Sequence, residues 1–181
     1  RALAHAVNRQ AILTQLAGGG RLLNVPCHPD QAGCVSEGIA DTRYDPDAAK
    51  KLLAEAGFPD GFEVSFWGYH ERSWMEAMMS DLAKVGINVK LVSYEWGEYR
   101  KRLQAGEHQL GFLGWTGDNG DPDNFLHTLL GCAAVGGNNR AQWCNEECDT
   151  LVNKAKVTTD VAERTKLYEQ AQVVFKEQAP W

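Results

Sequence analysis

Apolar positions along the chain change their spacing several times, and each change marks an element. Leu3, Val7, Ile12 and Leu16 recur near helical spacing, which predicts a helix over residues 1–17, stopped by Gly18-Gly19-Gly20. Residues 21–44 hold no period and are punctuated by Pro26, Pro29, Gly33 and Gly38, so irregular chain is expected there. Asp45-Pro46 then opens a helix. An Asp side chain can accept from the free amides of a first turn, and a Pro at the first helical position has no amide to lose. Ala49, Leu52, Leu53 and Ala56 follow at i, i+3, i+4 and i+7, and Gly57 ends the run. Phe62, Val64 and Phe66 alternate as a strand. Trp74, Met75, Met78, Met79, Leu82 and Val85 form a helical stripe that stops at Gly86, with the methionines read as core filling. Ile87, Val89 and Leu91 alternate as a second strand. Trp96, Tyr99 and Leu103 suit a short helix ended by Gly106, and Leu110 to Trp115 an apolar third strand. Two more helices are expected at about 146–156 and 160–177. Asp160 caps the second, and Glu163 completes a D-x-x-E capping box.

Strands that alternate with helices predict an α/β layer with at least partly parallel pairing. The length, 181 residues, suits one domain, and no repeat or composition break divides it. Helical periodicity is already running at Arg1-Ala2-Leu3-Ala4 without a capping residue before it, and the last residues leave a helix to stop on Trp181. Both ends are read as those of a fragment of a longer chain. Apolar residues make up 44% and charged residues 23%, a folded composition. Eighteen Lys and Arg against 24 Asp and Glu give a net charge of −6, which argues against a nucleic-acid binder that works by clustered positive charge. No apolar run is long enough to span a membrane.

Five cysteines are many for a chain kept in a reducing compartment. Cys27 and Cys34 close a short loop rich in Pro, Gly and Asp, and Cys132 and Cys144 bracket a polar one. These spacings fit two local disulfides, with Cys148 left over or standing in for Cys144. The alternatives are ordinary buried thiols, or a zinc site with His28, for which no tetrahedral ligand set is evident.

Candidate chemistry gathers in Gly114-Trp115-Thr116-Gly117-Asp118-Asn119-Gly120-Asp121-Pro122-Asp123-Asn124, directly after the third strand. Ligands of open α/β sheets collect beyond the carboxyl ends of strands. Pro122 and the lack of a Glu at the twelfth position exclude an EF-hand calcium loop. Asp121-Pro122-Asp123-Asn124 reads as a turn that feeds a helix cap. Asp118, beside Trp115 and Gly117, can pair with a ligand ammonium group, or simply stabilise a turn. Motifs for serine, P-loop, zinc-protease and dinucleotide chemistry are absent, and the five histidines share no ligand spacing.

Longer stretches resemble a known family. Tyr44-Asp45-Pro46-Asp47-Ala48-Ala49-Lys50-Lys51-Leu52-Leu53-Ala54-Glu55-Ala56-Gly57-Phe58-Pro59-Asp60-Gly61 resembles the hallmark segment of the family 5 extracellular solute-binding proteins. Asp81 to Gly86, Ser93 to Tyr99 and Gly114 to Phe125 are similar to the periplasmic dipeptide-binding branch, as are Ala2 to Arg9 and Tyr168 to Gln172. Cys132, Trp143 and Cys144 match a disulfide-closed loop of that branch.

The resemblance implies one α/β lobe, residues 1–181, of a two-lobed periplasmic-binding-protein-like fold with a mixed sheet flanked by helices. It implies a monomeric substrate-binding component of an ABC importer. Such a component captures dipeptides or short peptides in the Gram-negative periplasm and delivers them to an inner-membrane permease. It uses no catalysis, metal or cofactor, and is exported by a signal peptide not in this chain. Asp118 is placed as acceptor for the peptide α-ammonium group, with Trp96 and Trp115 lining the cleft and backbone from Thr116 and Gly117 beside them. The family's loop after the strand near Trp67 supplies an Arg for the ligand carboxylate. Here Trp67 to Trp74 is several residues shorter, and Arg72 is the residue carried over. The Cys27 to Cys34 loop departs from the family, which more often has an apolar, Pro-containing loop there. Members that bind haem, glutathione or longer peptides are the alternatives within the family. A chemoreceptor-coupled sensing domain is the alternative outside it.

Overall fold

A computed structural model of the chain describes residues 1–35, 39 and 42–181; Gly38, one of the expected loop punctuators, lies outside them. The backbone gathers into two compact units. The first holds Arg1–Leu22, Thr42–Leu103 and Glu107–Gly114, and the second Leu23–Asp41, Gln104–Gly106 and Trp115–Trp181. The chain passes between them more than once, so a scan for a composition break meets no single boundary.

In the first unit, the helix expected over residues 1–17 is interrupted. α1 spans Ala2–Ala6, Val7 is extended, and α2 (Arg9–Ile12) starts afresh from Asn8. The Asn8 side chain accepts from the Ala11 amide at 3.0 Å, and the Asn8 amide donates to Asp81 Oδ2 at 2.8 Å. An Asn side chain competes for backbone amides, and at Asn8 that competition resets the helix. α2 continues into a π-helical turn, Leu13–Ala17, closed by Gly18 at φ 68°. α3 (Pro46–Glu55) begins as expected, with Asp45 Oδ1 accepting from the Ala48 amide at 2.9 Å.

Then come β1 (Phe62–Gly68), α4 (Arg72–Ala83), β2 (Ile87–Ser93), α5 (Trp96–Gln104) and β3 (Leu110–Gly111). The strand order is β2-β1-β3, and both pairings are parallel. β1 and β2 pair along their full length, from Phe62↔Ile87 to Gly68↔Ser93. The described strands thus supply the parallel part of the expected mixed sheet. β3 is shorter than the expected 110–115: past Gly111 the Phe112 amide still reaches Trp67 O at 2.9 Å, and there β1 itself is ending. Ala6, Ala49, Leu53 and Leu82 from the helices bury against Val64 and Ile87 of the sheet. Trp67, an odd number of positions from Val64, points to the opposite face, where Tyr99 and Leu103 of α5 cover it.

In the second unit, three helices build one core. α6 (Asp123–Leu130) was foreshadowed only by its cap, because eight residues give the helical period little room. α7 (Glu146–Val157) is capped by Asn145, which accepts from the Cys148 amide at 2.9 Å. α8 (Val161–Gln178) is capped by Asp160, which accepts from the Glu163 amide at 2.8 Å. Leu126, Leu130, Val152, Tyr168, Ala171 and Phe175 interlock in the interior. Disulfides join Cys27 to Cys34 and Cys132 to Cys144, so Cys148 is the leftover cysteine, a buried free thiol. Among the described residues, no helix is long and apolar enough to cross a membrane, and no group of three or more His, Cys, Asp or Glu is placed to hold a metal ion.

Candidate functional site

The second unit carries the polar loop that leads into α6. Its ends are tied: Trp115 Nε1 donates to Asn124 Oδ1 at 2.9 Å, and the Asp121 amide donates to Asn119 Oδ1 at 3.1 Å. Asp121 is fully engaged. Arg164 Nη1 and Nη2 donate to its two carboxylate oxygens at 2.7 and 2.9 Å, and the Asp123 amide donates to Oδ1 at 2.9 Å. Burial pushes the Asp121 carboxyl up, but the Arg164 bonds, the Asp123 amide and the Arg164 charge outweigh it and hold its pKa below the usual value. Asp123 faces His127 Nδ1 at 3.9 Å. A β-carbon on Gly117 would stand 2.8 and 2.9 Å from Phe125 Cε2 and Cζ, so the loop lies directly against that ring.

Between these ties sits Asp118. It is exposed, and its carboxylate makes no hydrogen bond or ion pair with any described residue. Thr116 and Gly117 are exposed beside it, and Trp115 presents 39% of its surface although its indole N–H is held. The four loop residues singled out in the sequence, Trp115, Thr116, Gly117 and Asp118, therefore share one solvent-facing stretch. The stretch offers a carboxylate that bonds to no described residue and, three positions before it, an exposed aromatic ring, residue types suited to an organic cation.

The first unit carries the other two predicted site residues. Trp96 opens α5 and is 43% exposed. Its ring lies 4.5 Å from that of Tyr69, which is itself 5.2 Å from Tyr99, and the Arg100 guanidinium sits 5.5 Å from the Trp96 ring centroid. Tyr69 directly follows β1 and Trp96 closely follows β2, so this aromatic ledge stands at the carboxyl ends of the strands. Its floor is rigid. The Tyr99 hydroxyl lies 2.7 Å from Phe112 O and 3.0 Å from Trp67 O, sharing its proton between the two, and burial pushes the phenol well above its usual pKa. Arg72 lies in the first turn of α4 and donates from Nε to Glu76 Oε1 at 2.7 Å, on the surface.

Two contributors escaped the sequence. Tyr69 is a single aromatic past a strand end, where alternation has stopped. Arg164 lies 43 positions from Asp121, and no local pattern links two charges at that distance.

The family described as bacterial extracellular solute-binding proteins, family 5 (middle), matches residues 1–137. The chain is 46% identical to di/tripeptide-binding protein 1 of Pseudomonas aeruginosa over 189 residues, covering 99% of this chain and 35% of that protein. It is 44% identical to heme-binding protein A of Haemophilus influenzae, covering 100% of this chain and 35% of that one. It superposes with a TM-score of 0.92 on the dipeptide-binding protein of Pseudoalteromonas sp. SM9913 in complex with Met-Leu, at 38% identity, covering 99% of this chain and 37% of that one. The chain spans about a third of the length of the relatives it matches.

Proposed function

Because the chain belongs to the family 5 bacterial extracellular solute-binding proteins, we propose that it forms the ligand-binding lobe of the substrate-binding component of an ABC importer for dipeptides or short peptides. In this reading it works in the periplasm as a monomer and hands its ligand to an inner-membrane permease. It does no covalent chemistry and uses no cofactor.

The observation that carries the reading is the division of labour in the 115–124 loop. Asp121 and Asn124 are bonded to the protein itself, whereas Asp118 bonds to no described residue and is exposed, as is Trp115 three positions before it. A peptide α-ammonium donates charge-assisted hydrogen bonds to such a carboxylate, and the Trp115 ring offers it a cation-favouring face. Gly117 lets the loop sit directly against the Phe125 ring. In the first unit, Trp96 and Tyr69 form an aromatic surface of a kind suited to apolar side chains. The interaction strengthens where closure of a two-lobed protein excludes water, and a ligand shifts such an equilibrium only by its differential affinity for the closed form.

The test is calorimetric titration of the full-length protein with a dipeptide panel, comparing wild type with Asp118→Ala. The reading predicts tight binding that the substitution weakens by about 2–5 kcal/mol, the cost of leaving a desolvated charge unpaired. Equal affinity in the two proteins would refute Asp118 as the anchor. A second reading, haem as ligand, is favoured by the 44% identity to heme-binding protein A of Haemophilus influenzae. A Soret-band titration of the same protein distinguishes it: saturable haem binding without any dipeptide response would replace the peptide reading.

A further inference from the structure

Among the described residues no side chain holds Asp118, so its carboxylate inherits its place from the backbone on either side. On the amino-terminal side, Trp115 is tied to Asn124 and Gly117 abuts Phe125. On the carboxyl-terminal side, the tie is Asp121, three residues on. Arg164 grips both of its oxygens, at 2.7 and 2.9 Å. The remaining guanidinium nitrogen, Nε, donates to Ala155 O at 3.1 Å near the end of α7. Nη2 also reaches Tyr168 Oη at 3.1 Å, and the guanidinium lies 5.1 Å from the Tyr168 ring centroid. One side chain therefore locks the loop to both α7 and α8. Each partner side chain in the Arg164–Asp121 pair is 29% exposed, so the fork is set into the surface rather than waving above it. A bidentate guanidinium–carboxylate pair fixes orientation as well as distance, which a lysine cannot reproduce.

We propose that Arg164, acting through Asp121, is the positioning residue that holds the Asp118 carboxylate where a ligand ammonium group can meet it. It touches no ligand itself. This inference rests on the reading of Asp118 as the ammonium acceptor.

The experiment uses the full-length protein and two probes, Met-Leu and its des-amino analogue, in which a hydrogen replaces the α-ammonium group. The ratio of their affinities reports the ammonium interaction alone. Removing a partner that orients a binding group costs roughly 10–100-fold at metal sites, and a change of that order in the ratio is expected for Arg164→Met. Arg164→Lys should fall between Met and wild type. Affinity for the des-amino analogue should stay within about twofold. A merely structural Arg164 would weaken both probes alike and leave the ratio unchanged, which would overturn the proposal. Asp121→Asn keeps the shape of the site and loses the charge, so it gives the same reading should Arg164→Met not fold. A wild-type protein that does not discriminate between the probes overturns the Asp118 assignment and this proposal together. Discrimination that survives intact in the Arg164 and Asp121 variants overturns this proposal alone.

Discussion

Replacing Gly117 by Ala tests how tightly the loop is seated. The new β-carbon would stand 2.8 Å from Phe125 Cε2 and 2.9 Å from Cζ. Carbon atoms in ordinary contact sit roughly 3.5–4.0 Å apart, so something must yield by about 0.7 Å or more. Phe125 packs against the core of the second unit and cannot swing freely away. The strain of such overpacking is about 1–3 kcal/mol. Gly120 provides the contrast. Its φ is 69°, and nothing lies within 4 Å of the β-carbon it lacks, so Gly120→Ala meets backbone strain of about 1–2 kcal/mol without a clash. The two costs separate in a double-mutant cycle. Phe125→Leu removes the two ring atoms in question, and should recover most of the Gly117→Ala loss but none of the Gly120→Ala loss. Urea unfolding followed by far-UV dichroism reads the stabilities, and coupling between contacting residues is typically about 0.5–3 kcal/mol. Additive behaviour of Gly117→Ala with Phe125→Leu would refute the reasoning, because the loop would then not rest on that ring.

Three further outcomes are expected. Asp121 has a folded pKa below its unfolded value near 3.9, so the unfolded state binds more protons as the pH falls; its contribution is complete above about pH 4 and is lost as the pH drops through the folded value. The stability gap between wild type and Asp121→Asn should therefore narrow between pH 5 and pH 2 in thermal melts, and a constant gap would contradict the pairing. Burial, followed by the charges of Asp149 and Glu147, pushes the Cys148 thiol up to about 11, so at pH 8 only roughly one molecule in a thousand carries the thiolate. Iodoacetamide should leave Cys148 unmodified in the folded protein and alkylate it in urea, as read by mass spectrometry; rapid native labelling would contradict its burial. Asn139 is fully buried and donates to Gly131 O at 3.2 Å and Trp143 O at 2.7 Å, spanning the Cys132–Cys144 loop. Asn139→Ala should cost about 1–3 kcal/mol by removing the donor to the Trp143 carbonyl, Gly131 O keeping the Ala134 amide, and Asn139→Asp more, because it sets a charge against both carbonyls.

What the sequence makes legible is what local physics decides. Pro46 after Asp45, and Asp160 with Glu163 three residues on, place helix starts that the structure keeps, because capping involves neighbours in the chain. Alternation at Phe62–Phe66 and Ile87–Leu91 gives strands for the same reason. The 1–17 helix breaks at Asn8 because the Asn8 amide is drawn to Asp81, a contact 73 residues away that no period encodes. β3 shortens because its partner ends at Gly68. In the candidate site, the residue types of the 115–118 stretch are plain in the sequence. The sequence also assigns Asp121 to a turn and Asp118 to the candidate site, but it does not show what holds Asp121: Arg164 on α8 reaches it only through tertiary structure. Arg72 shows the converse. A spare cation in the sequence proves to be paired with Glu76, one helical turn along α4.

The central claim is that Asp118 receives the amino terminus of a peptide. A crystal structure of the full-length protein with Met-Leu tests it most directly. The account predicts the ligand nitrogen at about 2.7–2.9 Å from the Asp118 carboxylate, beside the Trp115 indole, with the Arg164–Asp121 fork unchanged. A bound peptide whose ammonium group meets another acceptor, while Asp118 stays in solvent, would contradict it.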